Sequence, residues 1–152
     1  MKQRIDSALY EKSPAVKAMY ALQHAVETSG LEKSLIELVK IRSSQINGCA
    51  YCIDMHTKDA RAAGETEQRI YALNAWRETP FFSDRERAAL EWAESLTLVG
   101  KTHVPDSTFE EARKYFSEAE IVSLTWTIVA INGWNRLAVS MRAVPGSYQP
   151  RT

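Results

Sequence analysis

The sequence predicts an all-α fold, on three observations. Apolar residues recur at spacings of three, four and seven through successive segments, which is the period of a helix with one buried face. No segment alternates apolar and polar residues with the period of two that a half-buried strand requires. The apolar segments are also punctuated by helix start and stop signals, Ser-Pro, Ser-x-x-Glu and Gly.

Residues 1–12 carry no such signal and are expected to be irregular. Ser13-Pro14 reads as an N-cap with proline at the first helical position; Val16, Met19, Tyr20, Leu22 and Val26 follow, and Gly30 closes this helix. Leu35, Ile36, Leu38, Val39, Ile41 and Ile46 mark the next helix, which Asn47-Gly48 stops because both residues tolerate a left-handed conformation. Another helix is predicted from Cys49 to about Ala63, before Gly64. The two form a helix hairpin. Thr66 caps a helix through about Trp76, and Thr79-Pro80-Phe81-Phe82 connects it onward. Ser83 and Glu86 form a capping box for a long helix to about Val99, before Gly100. His103-Val104-Pro105-Asp106 reads as a loop. Ser107 with Glu110 reads as a capping box for a short helix to about Tyr115. Ser117 with Glu120 opens the last long helix, through Ile121, Leu124, Trp126, Ile128, Val129, Ile131, Leu137 and Met141. Val144-Pro145-Gly146 begins a polar tail. With no repeat, low-complexity stretch or linker, one domain is expected over residues 1–152, with its core at about 13–143.

Composition narrows the function. Nineteen basic and nineteen acidic side chains balance, so no excess of positive charge is available to neutralise phosphates and nucleic-acid binding is not expected. No apolar run approaches the length that crosses a bilayer, and residues 1–6 lack the apolar stretch of a signal peptide. A cytoplasmic location is the expectation. In a reducing compartment a Cys-x-x-Cys pair points to catalysis or metal binding rather than to a structural staple.

The only two cysteines, Cys49 and Cys52, form such a pair, and His56 follows four residues after the second. On a helix opening at Cys49 these three residues share one edge. A thiol beside an imidazole one turn on is an arrangement for making a thiolate, the reactive form of cysteine. The partial positive charge at the helix start favours a thiolate at Cys49 as well. Glu37 lies roughly 15 Å back from the turn along one helix and His56 roughly 12 Å beyond it along the other, at ~1.5 Å per residue. The two therefore stand near the same level of an antiparallel hairpin, where the carboxylate could orient the imidazole or relay a proton to it. Lys33 and Lys40 stand at helical spacing from Glu37, so a plain salt bridge on a solvated face is the alternative for that residue. The alternatives for the group are that Cys49 and Cys52 are buried core thiols, or that Cys49, Cys52, His56 and Glu37 bind zinc. Spacing favours redox chemistry, because three of the four candidates lie on one helix rather than on two knuckles.

The pattern Glu-x11-Cys-x2-Cys-x3-His at Glu37, Cys49, Cys52 and His56 resembles the alkylhydroperoxidase AhpD family of the carboxymuconolactone decarboxylase superfamily. The words Ser44-Gln45-Ile46-Asn47-Gly48-Cys49 and Cys52-Ile53-Asp54-Met55-His56 carry the same resemblance, and Val104-Pro105-Asp106 and Asn132 to Arg136 extend it more weakly. The resemblance implies an AhpD-like helical bundle built around the hairpin, and a thiol peroxidase acting on a hydroperoxide. It implies that Cys52 attacks, although the helix-start argument points to Cys49. Cys49 then closes a disulfide, with His56 and Glu37 as a proton relay and an external dithiol or lipoyl-type group as reductant. Tyr51, between the cysteines, is either packing at the turn or a phenol that donates a proton, at a position where some members carry histidine. No metal, haem or flavin is expected. Related proteins form rings, which with the apolar load of the last helix and its Trp126 and Trp134 implies a homo-oligomer, a trimer or a hexamer. Asn132, Asn135 and Arg136, inside a mostly apolar helix, are expected to form a structural hydrogen-bond network. His24 is read as a surface residue, and His103 as a loop residue that could stand near the site. Two other classes remain: a lactone-processing enzyme like the decarboxylase branch, whose members do not depend on a cysteine pair, and a redox-sensing helical oligomer without turnover.

Overall fold

A computed structural model describes residues 2–150. They form helices and connecting loops, with no strand among them, so the fold is all-α. In chain order the helices are α1 (Ser7–Glu11), α2 (Pro14–Glu27), α3 (Lys33–Asn47), α4 (Ala50–Ala62), α5 (Glu67–Ala72), α6 (Asp84–Thr97), α7 (Val99–Thr102), α8 (Asp106–Arg113) and α9 (Glu118–Met141).

Helix α3 is the central post, with α4, α6 and α9 packed around it. Its Leu38, Val39 and Ile41 are fully buried on more than one side of the helix. One face meets α6 and α9 through Leu35, Ile36 and Val39 against Ala89, Trp92, Ala93, Leu124 and Ile128. Another packs Leu38 and Ile41 against Ala60, Ile70, Leu73, Trp76 and Leu90. Small residues on α6, Ala88, Ala89 and Ala93, let it approach α3 closely. Burying each Leu or Ile side chain contributes roughly 1.5–3 kcal/mol.

Several helix starts follow the expected chemistry. The Ser13 hydroxyl accepts from Val16 N–H, and Thr66 accepts from Arg69 N–H. The capping boxes Ser83/Glu86 and Ser117/Glu120 are both closed. Gly48 ends α3 at φ +64°, the left-handed conformation the turn requires.

Four expectations need correction. Ser7–Glu11 is helical, capped by the Asp6 carboxylate, rather than irregular. The helix after Thr66 breaks, since Leu73–Glu78 is a 3-10 segment kinked at Ala75 (φ −120°, ψ 33°). Gly100 does not end a helix but lies inside α7, after a break at Leu98. The Ser107/Glu110 box does not form: α8 begins two residues earlier than a Ser107 cap would place it, behind Pro105, and Asp106 supplies the favourable negative charge in its first turn.

The tail beyond α9 is ordered against α4. Gly146 N–H donates to Asp54 Oδ2 at 3.0 Å, and the Lys58 ammonium donates to the carbonyl of Tyr148 at 3.0 Å.

Candidate active site

The α3–α4 hairpin positions the site. Cys49 is the N-cap of α4, and its Sγ accepts a hydrogen bond from Cys52 N–H at 3.3 Å. The two cysteines are joined as a disulfide. Both are buried, at 1% and 2% exposure, against Ile131 of α9 with Tyr51 and Ala138 beside them. Cys52 and His56 are one turn apart on α4, so their Cβ atoms stand about 5–6 Å from each other.

Glu37 and His56 meet as the hairpin geometry predicts. His56 Nδ1 lies 2.8 Å from Glu37 Oε2, so the bond occupies Nδ1 and leaves Nε2 as the other ring nitrogen. The other carboxylate oxygen of Glu37 accepts from Lys40 Nζ at 2.9 Å. Glu37 therefore contacts both His56 and Lys40, and it does so from a largely buried position rather than on a solvated face. Lys40 is itself nearly fully buried, and its ammonium lies 3.7 Å from Glu27 of α2. Burial pushes the Glu37 carboxyl up, but the hydrogen bond and charge of His56 and the Lys40 ammonium outweigh it and hold it below the ordinary carboxylate range.

Tyr51 is half-buried and packs against the disulfide. Burial, then the neighbouring Tyr20, Glu11 and Asp54, raises its phenol above the usual value, so it keeps its proton at neutral pH. His24 is exposed on α2, and His103 is exposed at the left-handed C-terminus of α7, which packs on α6.

The amides of α9 hold the hairpin turn from behind. Asn47 Nδ2 donates to Asn132 Oδ1 at 3.0 Å and to Asn135 Oδ1 at 2.9 Å. Asn135 Nδ2 donates to Ser44 Oγ at 3.0 Å, and Arg136 donates to Asn132 Oδ1 at 2.9 Å. This is the network expected of Asn132, Asn135 and Arg136, and it fixes the stop of α3 immediately before Cys49.

Asp59 is a neighbour of the Glu37–His56 pair that the sequence reading missed. One donor atom each of Glu37, His56 and Asp59 lies within 4.8 Å of the other two. Its signal was present as His56-x-x-Asp59, three residues on along the same face. Its second partner was out of reach of any local pattern, because the Tyr148 hydroxyl donates to Asp59 Oδ1 at 2.7 Å from 89 residues away. The three side chains are of types that a cation could draw on, but each carboxylate already has partners, Glu37 in His56 and Lys40 and Asp59 in Tyr148. The four-residue zinc set differs from this group, since Cys49 and Cys52 are bonded to each other.

Residues 14–95 match the carboxymuconolactone decarboxylase family. The uncharacterized protein YdfG of Bacillus subtilis is 46% identical over 142 residues, which are 93% of this chain and 95% of that one. A protein of unknown function from Agrobacterium tumefaciens, linked by its description to antioxidant defence and AhpD, has a crystal structure with TM-score 0.91 at 46% identity, covering 97% of this chain and 100% of that chain. A shorter match of 41 residues, 27% of this chain and 22% of the other, is 46% identical to alkyl hydroperoxide reductase AhpD of Bradyrhizobium diazoefficiens. The family match takes in more than half of the sequence, including both arms of the hairpin, and the first two likenesses run nearly end to end; the chain therefore belongs to the carboxymuconolactone decarboxylase family, as an AhpD-like member.

Proposed function

We propose that this protein is a thiol-dependent hydroperoxide reductase in which Cys49 and Cys52 cycle between dithiol and disulfide. The observation that carries the reading is the 2.8 Å bond from Glu37 to His56, anchored on the helix that presents the Cys49–Cys52 disulfide. A redox pair and a positioned base on one helix are what peroxide reduction needs.

In the reduced protein, His56 takes the Cys52 proton, directly or through a water, while Glu37 orients the ring and balances its charge. The Cys52 thiolate attacks the terminal oxygen of the hydroperoxide. The O–O bond breaks, a sulfenic acid forms on Cys52, and the alkoxide leaves as an alcohol after taking a proton from His56 or the Tyr51 phenol. The Cys49 thiol then displaces water from the sulfenic acid to form the disulfide. An external dithiol reduces that disulfide by exchange and is itself oxidised. Cys52 is assigned the attack because it stands one turn from His56. Cys49, held at the helix start, is the resolving thiol.

The electron donor in this reading is a dithiol of lipoyl type, and the cycle runs in the reducing cytoplasm. No helix among the described residues is long and apolar enough to cross a membrane. The protein acts as a homo-oligomer, a trimer or hexamer. What supports this is the stripe Val122, Trp126 and Val129 along the outer face of α9, 57%, 51% and 45% exposed.

The test is steady-state consumption of an organic hydroperoxide with dihydrolipoamide as reductant. Turnover that requires both cysteines is expected. Consumption no faster than the uncatalysed mixture would contradict the reading, and a single oxidation without turnover would identify a sensor instead.

A further inference from the structure

The C-terminal tail reaches back to the site. Beyond α9 it runs along α4 as a strap, tied by Gly146 N–H to Asp54 and by Lys58 Nζ to the carbonyls of Gly146 and Tyr148 at 3.3 and 3.0 Å. From this strap the half-buried Tyr148 donates its hydroxyl proton to Asp59 at 2.7 Å. Asp59 in turn stands on the His56 face of α4, within 4.8 Å of both Glu37 and His56.

We propose that Asp59 and Tyr148 are positioning residues of the site, with Tyr148 holding the Asp59 carboxylate against the Glu37–His56 pair so that negative charge faces the imidazolium formed when His56 takes the Cys52 proton. This rests on the reading of His56 as the acceptor for Cys52. The argument is one of charge and place. Around the imidazole stand two carboxylates, Glu37 from α3 and Asp59 from its own helix, and one buried ammonium, Lys40 from α3. Glu27 of α2 touches the group only through Lys40, is half-exposed and is screened by water. From α9, Arg136 is engaged by Asn132. Two negative charges against one positive reach balance when His56 has taken up a proton, which is the state that accompanies a Cys52 thiolate. Asp59 is three residues from His56 but seven from Cys52, roughly 10 Å along the helix at ~1.5 Å per residue, so it favours the imidazolium more than it opposes the thiolate. Without the Tyr148 hydroxyl, a half-buried carboxylate is free to turn outward to water.

The experiment measures the pH dependence of iodoacetamide alkylation at Cys52 in the reduced full-length protein, by mass spectrometry, so that it does not depend on peroxide turnover. Asp59→Asn should move the profile to higher pH, by less than the ~1–3 units that an opposite charge at ~4–6 Å imparts directly, because Asp59 reaches Cys52 only through His56. Tyr148→Phe should move it the same way by less. The double variant should match Asp59→Asn alone, because Tyr148 acts only through Asp59. A Tyr148→Phe profile that stays with the wild type, or a double variant whose shift is the sum of the two, would overturn the proposal. His56→Ala in the same assay separates the layers. If it moves the profile while both Asp59→Asn and Tyr148→Phe leave it in place, the strap's role alone fails. If His56→Ala moves nothing, the acceptor reading fails and the proposal with it.

Discussion

At the residue scale, the site is a charge cluster as much as a thiol pair. Lys40 is 2% exposed and its ammonium is held by Glu37 at 2.9 Å. Replacing Glu37 by Gln therefore does two things. It removes the orienting partner of His56, and it leaves a buried ammonium with only the half-exposed Glu27 nearby. We expect a loss of stability toward the low end of the ~3–5 kcal/mol for a broken buried pair, read as a lower midpoint in urea. Cys52→Ser should abolish peroxide reduction. Cys49→Ser should permit one attack and leave a sulfenic acid on Cys52 that a dimedone probe traps. His56→Ala should slow the reaction about 10²–10⁴-fold and move the pH–rate profile to higher pH. Activity retained in Cys52→Ser but lost in Cys49→Ser would reverse the roles and make the helix-start argument the better guide. The meeting of Glu37 with His56 was legible because both stand at nearly equal distance from the Gly48 turn, and helix rise converts that into a contact. Tyr148 was not legible, since an irregular tail has no periodicity from which to read where it docks.

At the element scale, helices were legible where a cap and an apolar stripe agree. Ser117 and Glu120 illustrate this, with Ser117 N–H donating to Glu120 and Glu120 N–H donating to the Ser117 hydroxyl. Ser117 N–H, the Arg85 guanidinium and the Ser117 hydroxyl hold the Glu120 carboxyl down at about 2, against an ordinary 4.5. A carboxyl depressed on folding contributes stability that is fully present above its unfolded value. That contribution should fade as pH falls from about 4.5 through about 2. Ser117→Ala should lower stability by about 1 kcal/mol, checked by urea unfolding at neutral pH. Glu120→Gln should flatten the acid limb of a stability–pH curve. Boundaries were less legible where signals compete. Ser107 looks like a cap, but Pro105 pre-sets the backbone and α8 starts at Asp106. Ala75, where the 3-10 segment kinks, carries no breaker at all. There, tertiary packing of Leu73 and Trp76 into the core outweighs local propensity.

At the scale of the whole molecule, the hairpin is enclosed on one side by the core and on another by α9, which buries the disulfide with Ile131. The outer face of α9 is the opposite case, with Val122, Trp126 and Val129 turned to solvent in a single chain. Light scattering at micromolar concentration should return a trimer or hexamer, and Trp126→Glu should shift it toward the single chain. The mass of one chain for the unaltered protein would contradict the assembly. The central claim, that Cys49 and Cys52 together reduce one hydroperoxide, has a more direct test. Fully reduced protein is mixed with one equivalent of an organic hydroperoxide, and alkylatable thiols are counted by mass spectrometry before and after dithiothreitol. The account predicts loss of both thiols, consumption of the peroxide as the corresponding alcohol, and recovery of both thiols on reduction. Two thiols still alkylatable with the peroxide unconsumed would contradict it.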